Sequence, residues 1–72
     1  MEHYVTVTTD EGTFGILAMA GDDGGWTANV ARLGPDGGPL RTVIDEEDFA
    51  VDAGVFGSAR AALLRAMGYV VY

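Results

Sequence analysis

Three glycine-bearing turns do most to limit what this chain can become. Asp10-Glu11-Gly12, Gly21-Asp22-Asp23-Gly24-Gly25 and Gly34-Pro35-Asp36-Gly37-Gly38 interrupt the first forty-five residues at short intervals. Glycine, proline and aspartate are the residues that tight turns select. The intervening residues are strand-like. His3 to Thr9 sets His3, Val5, Val7 and Thr9 against Tyr4, Thr6 and Thr8, with β-branched residues dominant. Thr13 to Ala20 is apolar on both faces, with Phe14, Ile16 and Ala18 opposite Leu17 and Met19, which predicts a central strand. Gly15 within it signals a bulge or a close backbone approach. Trp26 to Leu33 and Leu40 to Ile44 supply the third and fourth strands. Short turns between successive strands predict an antiparallel meander of three to five strands.

The pattern changes at Asp45. Asp45-Glu46-Glu47-Asp48 fits the acidic amino end of a short helix reaching Ala53 and stopped by Gly54, and it also fits a solvated loop; a helical turn is preferred. The clear helix comes next. Ser58 suits its N-cap, and Ala59, Ala62, Leu63, Ala66 and Met67 form one apolar stripe, with Gly68 as a natural stop. The stripe predicts that Ala62, Leu63, Ala66 and Met67 bury against Phe14, Ile16 or Val30. Tyr69-Val70-Val71-Tyr72 is short and β-prone, which predicts a last strand. The expectation is a single α+β domain over residues 1–72, with the helix packed on one face of the sheet.

At 72 residues the chain buries only about 60% of its unfolded surface, and with no cysteine it has neither disulfides nor a thiolate zinc site to supplement its core. A hydrophobic content of 49% argues against disorder. The sequence shows no apolar run long enough for a membrane span and no signal-peptide pattern, so a soluble cytoplasmic domain is expected. The edge of that last strand, Tyr69 to Tyr72, together with aromatic surface at Tyr4 and Trp26, makes a homodimer a further expectation.

Chemistry finds little to work with. His3 is the lone histidine and Ser58 the lone serine, and Ser58 is better placed as a helix cap than as a nucleophile. Lysine and cysteine mechanisms are excluded by composition. The glycine turns match neither phosphate-loop pattern, and their aspartates would repel phosphate. Asp22-Asp23 and Asp45 to Asp48 lack the alternating spacing of a calcium loop. No enzyme, cofactor or metal is therefore expected.

Charge is the remaining signal. Eleven acids face four arginines, for a net charge of −7, which excludes unaided binding to a nucleic-acid backbone. Asp45, Glu46, Glu47, Asp48 and Asp52 form a run without a base. Such runs are often only solvated faces, whereas a surface needing solubility alone normally mixes signs. The alternative is docking to a basic partner through complementary fields. In composition and element order the chain resembles small, lysine-poor, acidic α+β proteins that phages make to inhibit CRISPR effectors. That resemblance implies a non-enzymatic inhibitor that blocks a basic, nucleic-acid-handling protein through Asp45, Glu46, Glu47, Asp48 and Asp52. Gly24-Gly25-Trp26-Thr27-Ala28-Asn29-Val30, with Leu33 and Gly34 beyond, is also similar to the second-strand hairpin of HicB-type antitoxins. The proline of their Leu-Pro-Gly corner is missing here, and the main helix comes late. An antitoxin against an RNA-binding toxin is the near alternative, and a small structural module whose charge serves solubility is the other. MbtH-like proteins share the length, but Trp26 stands alone where they carry several tryptophans.

Overall fold

The computed structural model describes residues 2–71, the side chains of 53 and 71 excepted. Four strands, β1 (Glu2–Thr9), β2 (Gly12–Ala20), β3 (Trp26–Leu33) and β4 (Pro39–Ile44), pair antiparallel in the order of the chain. Two helices follow, α1 (Glu46–Ala53) and α2 (Ala59–Val71). The architecture is an α+β meander sheet with both helices after it.

Register turns the strand alternation into a layer. Val5 pairs with Ile16, and Ile16 with Val30, so residues of one parity line up across the sheet. Phe14, Ile16, Ala18, Ala28 and Val30 are buried on that face against Phe49 of α1 and Ala62, Ala66 and Val70 of α2. The β2 strand is interior, as its two-sided apolar pattern predicts. The helices leave the opposite face, with Tyr4, Leu17 and Met19, uncovered. There the phenol of Tyr4 lies over Gly15, and a Cβ on Gly15 would sit 2.3 Å from its hydroxyl oxygen. This is the close approach expected at Gly15, made by a side chain crossing from the neighbouring strand.

The segment after Asp45 is a helix, and local chemistry accounts for both its ends. The Asp45 carboxylate accepts from the Asp48 backbone N–H at 2.8 Å, and Gly54 at φ +80° turns the chain out while its N–H reaches the Ala50 carbonyl. The preferred helical reading of this segment, and not the loop, is what forms, and α1 joins the C-terminal helix as a second one. It carries Phe49, which is completely buried, onto the sheet.

The predicted final strand is not formed. Residues 69–71 continue α2, and Tyr72 lies outside the described residues. Gly68 therefore lies inside the helix rather than stopping it. Val70 stands four residues beyond Ala66 and prolongs the buried stripe, at 8% exposure. Burying that side chain is worth about 1.5–3 kcal/mol, which exceeds the roughly 1 kcal/mol penalty of a helical glycine. The stripe also packs differently from expectation. Ala62 and Ala66 are completely buried, while Leu63 and Met67 are half-buried at its flanks. Small residues at the centre let the helix axis approach the sheet closely.

Pairing of β3 with β4 is irregular. Val30 faces Ile44, but shifts occur between Val30 and Ala31 and between Arg32 and Leu33. β4 thus covers only part of β3. Beyond it, Trp26 exchanges two backbone hydrogen bonds with Phe56, at 2.7 and 3.0 Å, in the connection between the helices. Trp26 is accordingly half-buried and lies tilted against His3, at 5.5 Å between ring centroids, rather than free as exposed aromatic surface.

Candidate partner-binding surface

The five acids of the candidate surface do not all have the same work. Asp45 is held as the α1 N-cap. Asp52 accepts a hydrogen bond from the Tyr69 hydroxyl at 2.8 Å, which ties α1 to α2. Glu46, Glu47 and Asp48 fill the first turn of α1 and are exposed. Carboxylates there interact favourably with the helix dipole, so they stabilise α1 and charge its surface at once. The structure places all five on or next to one eight-residue helix.

Sequence reasoning did not single out Val51. It is 90% exposed, and at 100° per residue it falls on the α1 side bearing Glu47 and Asp48, away from Phe49. A protruding β-branched side chain on the same side as Glu47 and Asp48 combines apolar contact with a negative field. Isolation of one valine among acids is weak as a sequence signal, and only its orientation on α1 distinguishes it. Val55 and Leu64, both 57% exposed, add apolar surface elsewhere on the helical layer.

Tyr69 is held away from its ordinary titration behaviour. Its pKa is raised above 10, first by desolvation and then by the hydrogen bond to Asp52 and the negative charge of that carboxylate. Arg65, whose guanidinium carbon stands 5.5 Å from the Tyr69 ring centroid, opposes the rise.

Ser58, Asp23 and Asp36 have structural uses. Ser58 Oγ accepts from the Ala61 N–H at 3.2 Å, as a helix cap does. Asp23 and Asp36 each accept from a glycine N–H two residues on, at 3.0 Å, which closes their turns. Among the described residues, no group of three or more His, Cys, Asp or Glu side chains is positioned to hold a metal ion. Nor is any helix among them long and apolar enough to cross a membrane. No protein-family model matches the chain, and neither a curated protein nor a solved structure does.

Proposed function

We propose that the chain is a non-enzymatic, acidic inhibitor that docks α1 onto a basic protein surface and blocks its access to nucleic acid, in the manner of an anti-CRISPR protein. The observation that carries this reading is the exposed face of α1. Glu47 and Asp48 share one side of α1 with the 90%-exposed Val51, Glu46 adds an exposed carboxylate to the same first turn, and the helix ends are fixed by Asp45 and Gly54. Carboxylates on a rigid helix can stand where phosphates would stand in a basic groove, and Val51 adds an apolar contact that phosphate lacks. Rim charges steer and orient an encounter more than they strengthen it. The antitoxin alternative uses the same surface against an RNA-binding toxin. The cytoplasm, where such targets work, is part of the proposal. So is a homodimer, formed along the open β1 edge and read by sedimentation at high micromolar concentration, where a pure monomer would remove it.

Affinity capture from the host lysate tests the reading, with wild-type chain and a Glu46→Gln/Glu47→Gln variant as baits. The captured protein should be basic, should bind DNA or RNA, and should lose that binding when the chain is added. Capture should fall steeply with salt, because charges at a rim are screened beyond a Debye length of about 8–10 Å. It should also weaken in the variant while thermal unfolding stays nearly unchanged. If both baits capture the same protein with the same salt dependence, the acids serve solubility alone and the small structural module becomes the better description.

A further inference from the structure

Arg32 and Arg41 are cross-strand partners, with their Cα atoms directly opposed between β3 and β4. Like charges in that position repel, so the arrangement is unfavourable unless something offsets it. The chain has eleven acids available for pairing. Yet Arg32 turns to the backbone carbonyl of Glu11, to which its guanidinium donates. The Arg32 guanidinium is further held over the Phe14 ring, 5.6 Å from its centroid. Arg41 donates no such bond. The register shifts between Val30 and Ala31 and between Arg32 and Leu33 bracket this pair, and bulges of that kind re-aim side chains beside binding sites.

Both arginines line a cavity of about 200 Å³. Its other walls are Glu11 of the β1–β2 turn, Phe14 of β2, Val43 of β4, and Tyr69 and Val70 of α2. Two guanidinium groups therefore share a small concavity with Glu11 and with aromatic and aliphatic side chains. One competing use for the arginines would be to satisfy the carbonyl end of α2. No hydrogen bond from either guanidinium to an α2 carbonyl occurs among the described residues, and Arg32 turns to Glu11 instead.

We propose that this pocket binds a small organic oxyanion, a carboxylate or a phosphate monoester carried on an apolar body. Arg41 supplies a bidentate donor fork for the charged group, Arg32 a second charge already oriented by Phe14 and Glu11, and Val43, Val70 and Tyr69 the contact for the body. None of these residues belongs to α1, and Tyr69 alone connects the pocket to that helix, through its hydrogen bond to Asp52.

Titration of the full-length, isotope-labelled chain with benzoate, phenyl phosphate and inorganic phosphate, followed by amide chemical shifts, tests the site. Saturable shifts are expected at Phe14, Arg32, Arg41 and Val43. The ratio of phenyl phosphate to benzoate affinity identifies the preferred head group. Inorganic phosphate should bind more weakly than phenyl phosphate because it lacks the body. Arg41→Gln should lower affinity about tenfold, the equivalent of one charge-assisted interaction. Arg60→Gln, at an exposed position of α2, should leave it unchanged. Arg41→Lys keeps the charge without the fork and should fall between, so a folding defect in the glutamine variant would not decide the matter. Shifts that do not saturate with any of the three probes, or affinity unaltered in both Arg41 variants, would overturn the proposal.

Discussion

The Tyr69 hydroxyl donates to the Asp52 carboxylate at 2.8 Å, joining the end of one helix to the end of the other across seventeen positions of sequence. Beneath that bond the Phe49 ring packs against the rings of Tyr69 and Phe56, at 6.3 and 5.8 Å between centroids. One acid of the candidate surface is thereby fixed in place, and α1 is held to α2 by a polar contact above an aromatic cluster.

Tyr69→Phe removes the bond and should cost about 0.5–1.5 kcal/mol, read by urea unfolding at neutral pH. The same substitution tests the pH dependence. The folded state raises the Tyr69 pKa, so it holds the phenolic proton more tightly than the unfolded chain does. The resulting contribution is full below the unfolded value of about 10 and is lost as pH rises through the higher folded value. Wild type should therefore lose stability above pH about 10 more steeply than the phenylalanine variant. Parallel curves would show that Tyr69 titrates alike in both states.

Phe49→Ala should be the most damaging substitution in α1, at about 3–5 kcal/mol, because the ring is completely buried. In a small domain whose stability is near the low end of about 5–15 kcal/mol, that is enough to unfold much of the population. Val51→Ala, on the exposed side of the same helix, should change thermal stability little. Equal losses from the two substitutions would mean that α1 is not packed through Phe49.

The α2 stripe offers a comparison that runs against side-chain size. Leu63 is half-buried, so Leu63→Ala should cost about 1 kcal/mol, below the roughly 2–5 kcal/mol of a fully buried leucine. Ala66 is completely buried where α2 meets the sheet, and Ala66→Leu should overpack that contact at about 1–3 kcal/mol. Calorimetric melting of the two variants should rank the larger residue at position 66 as the more harmful.

Gly15 and Tyr4 should behave as a coupled pair. Gly15→Ala places a methyl group 2.3 Å from the present position of the Tyr4 hydroxyl oxygen, so the exposed phenol must swing away. In a Tyr4→Ala background the same change meets no phenol and should stabilise the strand by about 0.5–1 kcal/mol, because glycine carries an entropic penalty there. A double-mutant cycle should show a non-zero coupling in which the alanine at 15 helps only when Tyr4 is absent. Additive effects would show that Tyr4 does not rest on Gly15.

The sequence by itself determined the elements whose causes are local. The four strands follow from period-two alternation and the turns between them, and the helix starts from Asp45 and Ser58, each bonded to an N–H three residues on. The acidic run from Asp45 to Asp48, with Asp52, was legible too, because charge can be counted along a chain. Only tertiary structure decided the rest. Val70 continues α2 because the sheet offers it a buried place, overriding the stop signal of Gly68 and the β-propensity of the last residues. Phe49 becomes core because α1 lies on the sheet, and Val51 becomes surface for the same reason. Arg32 and Arg41 become neighbours through a strand register with two irregularities, and Tyr69 reaches Asp52 only once both helices are packed. Caps and turns draw on partners a few residues away, whereas burial and long-range pairing depend on how separate elements share one core.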